Sequence, residues 1–352
     1  MTGDDEQPQF DLGAAAQRHV ARLEVIARTP EAKLVITKSQ QRIVEAAMEV
    51  WEEPPTAAET AYLARSLVQA TLPHSNPGNL PGWSRQNGNV TLSITPGYDP
   101  TAKKSIGFPY GSIPRLVLFW MTREAIQNKA LHAVKLMREP RVLNFGNSLA
   151  SFMQSLGLDP STGGGKRGDA ARLREQMNRL FNATISIETV RQDDAGRRSD
   201  RLNAVVARHV SYWWDKSDPA QISFFGSYVQ LSEDFFDALT AAPVPVDVRA
   251  LRALKQSPLA LDLYALLTYE AWRAHKSGKE RFIAWSLLME QMGTEYARID
   301  NFRSAAKAAL RKIQLLYPRL KLGTKPGGLH ILPSSFPAIQ PKLKALPKGD
   351  TA

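Results

Sequence analysis

The 352-residue chain contains no cysteine. Disulfides, zinc–thiolate fingers and thiol nucleophiles are thereby excluded, and the absence fits a reducing compartment. Histidine is scarce, six in all, and no HxH or HExxH spacing occurs; a histidine-built metal centre is not expected. Long apolar runs are missing as well. The most apolar stretch, IPRLVLFWM, is far short of the ~20 residues that span a bilayer, and Arg115 interrupts it. The chain opens MTGDDEQPQF, acidic where a secretory signal is basic, so a cytoplasmic protein is expected. Acids are in deficit: 34 Asp and Glu against 45 Lys and Arg, a net charge of +11. An excess of this size speaks to polyanionic partners, nucleic acid first and acidic membrane second.

The charge is uneven. Residues 1–60 hold six Lys and Arg against eleven acids, whereas residues 300–352 hold ten against two. That asymmetry points to a nucleic-acid surface near the C-terminal end. The length suits about two domains of ~150 residues. Residues 1 to about 10 read as disordered. Amphipathic helices are expected through AAAQRHVARLEVIA, SQQRIVEAAMEVWEE and TAAETAYLARSLVQA, and LPHSNPGNLPG has the composition of a linker. NVTLSITPG alternates as a strand does, and the proline- and lysine-bearing tail PSSFPAIQPKLKALPKGDTA reads as mostly flexible.

One order of elements occurs twice. GSIPRLVLFWMTREA opens on a Ser able to cap a helix and carries an apolar stripe at Leu116, Phe119 and Trp120. QSPLALDLYALLTYEAW repeats the design with Ser257, Pro258, Leu263, Leu266 and Leu267. A short strand and short helix follow in each case, RVLNFGNSLASFMQSLGL and later RFIAWSLLMEQMG. Then comes a basic helix, GDAARLREQMNRLF and later RIDNFRSAAKAALRKIQLLYP, and after it β-rich sequence broken by DDAGRRSD or TKPGG. Helix, strand, short helix, basic helix and hairpin is the order of a winged helix. The expected fold is therefore α+β and mainly helical, two tandem winged-helix domains behind an N-terminal helical extension. ALTAAPVPVDVRA is the expected linker between the copies.

The second basic helix separates its faces. At 100° per residue, Phe302, Ala306, Ala309, Leu310 and Ile313 share one side, and Arg303, Lys307, Arg311 and Gln314 cluster on an adjacent arc. Arg pairs bidentately with guanine and Gln with adenine in a major groove. A plain solvated face is the other reading; against it, no acid follows Asp300 to supply i,i+4 partners. In the first basic helix Leu173, Met177 and Leu180 share the apolar face while Arg172, Gln176 and Arg179 share another. The preceding GGGKRGD is not a phosphate loop of the Walker type, because Lys166 is followed by Arg167 rather than Ser or Thr. Lys166 and Arg167 at a helix start suit a DNA phosphate; a simple loop is the alternative.

Other residues read as structural. His209 lies in an alternating strand and His275 near a helix end. YWWDK suits base stacking but also the covering of a sheet, and the Asp pair at 193 and 194 falls in a turn. No nucleophile, base and orienter come together in the sequence, so no catalytic residue, metal or cofactor is assigned.

FPYGSIPRLVLFWMTREA, GNSLASFMQSLGL with RLREQMNRLF, SPLALDLYALLTY and FRSAAKAALRKI together resemble the plasmid-encoded RepA-type replication initiators, over roughly residues 90–325. The resemblance implies binding to repeated origin sites (iterons), help in opening the duplex, recruitment of a host initiator and helicase, and homodimers. It implies a C-terminal winged helix that reads bases, with Arg303, Lys307 and Arg311 as base or phosphate contacts on its recognition helix, and an N-terminal one that contacts the backbone and supports dimers, with Arg172 and Arg179 at the matching positions. It also implies a non-enzymatic protein; no membrane partner is expected. The expected division is an extension over 1–82, a first domain for dimerisation and backbone contact over 83–246, a DNA-reading domain over 247–332, and a tail over 333–352. A winged-helix transcription repressor is the alternative.

Overall fold

The computed structural model describes residues 37–161, 168–193, 196–212, 226–292 and 296–339. The architecture is mixed α+β, with several small antiparallel sheets set among helices. Among the described residues no helix is long and apolar enough to cross a membrane. The helix expected over 14–27, the N-terminal residues 1–10 and the tail from residue 340 lie outside them.

The chain enters through α1 (Lys38–Glu52), whose start is fixed by a capping box between Thr37 and Gln40. Its other end is held from elsewhere: Arg249 donates to the carbonyls of Glu49 at 3.0 Å and Glu53 at 3.1 Å. The helix expected over 56–70 is instead a strand, β1 (Thr60–Ala64), and a single helical turn and a half, α2 (Arg65–Gln69). Tertiary pairing overrides local preference here. β1 pairs antiparallel with β11 (Pro243–Asp247), which occupies the expected linker between copies. Pro243 and Pro245 alternate along this two-stranded ribbon, an edge position that tolerates missing N–H groups. The link is thus a built element, with Val244 and Val246 in the core.

Next come β2 (Trp83–Asn87), β3 (Val90–Thr95) and the small pair β4 (Tyr98–Asp99) and β5 (Lys104–Ser105). The first repeat follows as α3 (Ser112–Ala133), β6 (Val142–Asn144), α4 (Leu149–Ser155) and α5 (Asp169–Phe181). Ser112 does not cap α3; Gly111 precedes it and no side chain closes the end. Strands β7 (Thr184–Asp193), β8 (Gly196–Val205), β9 (Ala207–Ser211) and β10 (Tyr228–Leu231) then lead to α6 (Glu233–Ala241) and β11. The second repeat is α7 (Val248–Leu254), α8 (Pro258–Ser277), β12 (Arg281–Ala284), α9 (Trp285–Met292), α10 (Ile299–Leu316) and β13 (Gly328–Ile331). Here the expected cap is present, Ser257 accepting from the Ala260 N–H ahead of Pro258.

The two repeats share their element order and differ in their sheets. In the second, β12 pairs directly with β13, and Leu322 bridges to Ile331 across the turn. In the first, the hairpin β7–β8 does not pair with β6. It joins β3 in the sheet β2-β3-β7-β8, and β6 pairs instead with β10, which pairs with β9. The hairpin broken by DDAGRRSD is therefore an addition to the repeat.

The irregular segment 71–82 is not a loose connector. Thr71, Leu72 and Pro73 are buried, and their backbone carbonyls serve Arg85 and Arg115. One continuous core runs beneath both repeats.

Candidate nucleic-acid interface

Helix α10 buries the stripe that its spacing predicts. Phe302, Ala306, Ala309, Leu310 and Ile313 all lie in the core. Trp51 of α1 donates its indole N–H to the Leu315 carbonyl at 2.8 Å, so the N-terminal helix steadies the end of α10. With that side anchored, the rest faces outward: Arg303, Lys307 and Arg311 are exposed, and Gln314 is half-buried. Arg298 and Lys312, not singled out from the sequence, are also exposed and widen the cationic face. One acid tempers it. Asp300 pairs with Arg303 at 2.8 Å, an i,i+3 bridge that counting i,i+4 partners overlooks. Lys307 and Arg311 need no such neutralisation to be accommodated, since both heads stand in solvent.

Helix α5 behaves differently. Leu173, Met177 and Leu180 are fully buried, as their spacing predicts. The second arc, however, is not a free surface. Arg172 is exposed and pairs with Asp169 at 3.3 Å. Gln176 is buried, its side-chain carbonyl accepting from the Tyr110 N–H at 2.9 Å. Arg179 is largely covered: it pairs with Glu175 at 2.6 Å, donates to the Phe108 carbonyl at 3.2 Å and lies over the Tyr110 ring. Gly107 takes φ +89°, a conformation that favours glycine, where the loop closes over the Arg179 guanidinium. Gln176 and Arg179 therefore hold residues 107–110 in place. Helix periodicity gives no sign of that loop. The outward face of α5 is Arg172, Glu175 and Asn178, far less cationic than that of α10. Lys166 and Arg167 lie outside the described residues.

The long hairpin carries cations that the helix-centred reading missed. Arg191, Arg198 and Arg201 are exposed on β7 and β8, and Arg208 is exposed on β9, in the neighbouring sheet. Two are tied down, Arg198 to Asp200 at 3.1 Å and Arg201 to Glu188 at 2.8 Å. The cluster of Arg in RRSDR is the available signal.

Of the remaining residues, His209 is exposed and stacks on Tyr228 with ring centroids 5.5 Å apart, rather than packing inward. His275, in the last turn of α8, lies 4.4 Å from the Phe336 ring. Tyr212 stacks on Phe145 and Phe181; the rest of YWWDK, and Asp194, lie outside the described residues. Among the described residues no three potential metal-ligating side chains gather.

The family described as plasmid encoded RepA protein matches residues 108–286, just over half of the chain. Two solved structures are similar, domains 2 and 3 of RctB and their selenomethionine derivatives. Each is 12% identical with a TM-score of 0.45, covering 75–76% of this chain and 94% of its own. Among curated proteins nothing matches.

Proposed function

The chain belongs to the plasmid-encoded RepA family, and on that premise we propose that it is a sequence-specific initiator that binds repeated double-stranded origin sites. The observation that carries the reading is α10: a helix anchored by a fully buried stripe, with Arg303, Lys307 and Arg311 standing in solvent on its other side. Such a helix offers bidentate base contacts and phosphate neutralisation together. Both repeats are read as winged helices. The second, over 247–332, reads bases with Arg303, Lys307, Arg311 and Gln314; β12 and β13 form its sheet. The first, over 83–246, has β6, β9 and β10 as its sheet. It meets the DNA backbone through Arg172, Lys166, Arg167 and the hairpin arginines, and it forms the homodimer. The described part of 1–82 braces the second repeat through Trp51, and of the stretch expected as a flexible tail the described residues 333–339 instead pack on that repeat, Ser335 buried against the Lys321 backbone and Phe336 against His275.

In this reading the protein acts in the cytoplasm without chemistry of its own, helping to open the origin and recruiting a host initiator and helicase. Footprinting over the DNA flanking the gene tests it. A regular ladder of protected repeats, together with loss of replicon maintenance when the gene is removed, is the expected result. Protection of a single operator with the replicon still maintained would establish the repressor reading instead.

A further inference from the structure

The short helix ahead of each candidate recognition helix ends without a cation of its own. Neither α4 nor α9 has a basic residue in its last turn. A helix C-terminus leaves carbonyls without intrahelical partners and carries the negative end of the dipole, so a nearby cation is favourable there. In this molecule each end receives its cation from outside its own repeat.

At the end of α9, the Met292 carbonyl accepts from Arg85 at 2.6 Å. Arg85 belongs to β2, on the first repeat's side, and the same nitrogen lies within hydrogen-bond reach of the Thr71 carbonyl and hydroxyl and of the Leu72 carbonyl, which share its two hydrogens with Met292. The side chain is buried and stacks over Trp83 with its guanidinium carbon 4.4 Å from the ring. At the end of α4, Arg252 of α7 donates to the Ser155 carbonyl at 3.3 Å, and Lys255 just beyond α7 donates to the Gly157 carbonyl. Gly157 has φ +71°, and a Cβ there would lie 2.7 Å from the Arg252 side chain, so the turn is shaped to receive it. Met292 is the last described residue of α9 and Ser155 the last of the corresponding α4. The two contacts run in opposite directions: β2, in the sheet ahead of the first repeat, grips the end of α9, and α7 at the start of the second repeat grips the end of α4.

We propose that Arg85, Arg252 and Lys255 are positioning residues that fix the separation and mutual angle of α5 and α10. Together they set the one spacing of DNA contacts that the protein accepts. The inference rests on the DNA-binding reading for its purpose, but not for its geometry. Rigid presentation of two contact surfaces raises affinity only for DNA whose sites match their span, and loosening the frame relaxes that requirement.

The chain has no native cysteine, so spin labels at Asn178→Cys on α5 and Ser304→Cys on α10 report the separation directly. The parent is expected to give one narrow distance distribution. Arg252→Gln with Lys255→Gln, and separately Arg85→Lys, should broaden or shift it while cooperative unfolding is retained. The conservative Arg85→Lys and the two peripheral changes guard against a variant that merely fails to fold. In the second arm the unlabelled proteins bind the repeat-bearing duplex that wild type protects beside its gene, with one to five base pairs inserted at its centre. Wild type should lose affinity about tenfold or more on insertion, and the variants far less. Folded variants with the parent distribution, or with the wild-type spacing preference, would overturn the proposal. Failure of wild type to bind any such duplex sinks the DNA-binding reading, while the distance arm still decides the grip.

Discussion

Arg115 and Asp262 stand in the opening turns of α3 and α8, the corresponding lead helices of the two repeats, and meet in a buried two-pronged pair at 2.8 and 2.7 Å. Arg115 also donates to the carbonyls of Leu72, Pro73 and Gly111, and His74 lies 2.8 Å from the same carboxylate. Burial on its own pushes the Asp262 carboxyl up, but Arg115 and the hydrogen bonds from His74 and Arg115 outweigh it and hold the pKa at about 2.

Removing one partner of this pair leaves the other charge buried and alone. Asp262→Asn and Arg115→Met are each expected to destabilise the protein by about 3–5 kcal/mol, and the double replacement Arg115→Met with Asp262→Leu by less than either alone. The depressed carboxyl contributes stability that is complete above its unfolded pKa near ~3.9 and is lost as pH falls towards about 2. Urea unfolding of the four proteins checks both statements; a double variant as unstable as the sum of the singles contradicts the first.

His74 titrates the seam from the other side. Its pKa is lowered, chiefly by burial and against the pull of the Asp262 hydrogen bond. The folded protein therefore keeps it neutral while the unfolded chain takes up a proton near pH ~6.5. Unfolding then binds a proton, and stability declines as pH falls below that value. His74→Gln should flatten the slope of Tm against pH between about pH 7 and about pH 5. An unchanged slope relative to wild type would count against this assignment.

Gln176 separates packing from recognition on α5. Gln176→Ala strands the buried-side Tyr110 N–H and should cost about 1–3 kcal/mol of stability. At a temperature where the variant is fully folded, its DNA affinity should match wild type. A stable variant with weakened binding would return Gln176 to the DNA face.

These outcomes mark where the sequence was legible. The faces of α10 followed from rotation alone, because one side packs on a continuous core and the other is exposed among the described residues. The doubled order of elements was equally plain, since it rests on Ser257, Pro258 and two apolar stripes. What escaped depends on partners remote in sequence. TAYLA carries no signal that PVPVD will pair with it. Gln176 and Arg179 look like Arg172 until residues 107–110 close over them. Arg115 served only to break an apolar run, while its role is to meet an aspartate 147 residues away. Long-range polar contacts leave no local periodicity to read.

Equilibrium binding across a salt series, to the repeat-bearing duplex beside the gene, tests the central claim most directly. The triple variant Arg303→Ala, Lys307→Ala, Arg311→Ala should unfold as wild type does, because all three side chains stand in solvent. It should lose about 1–3 kcal/mol of binding for each base edge left unread, and its log–log salt slope should fall by ~0.9 for each phosphate left unneutralised. Wild-type affinity with a wild-type slope would contradict the assignment of α10 as the helix that reads DNA.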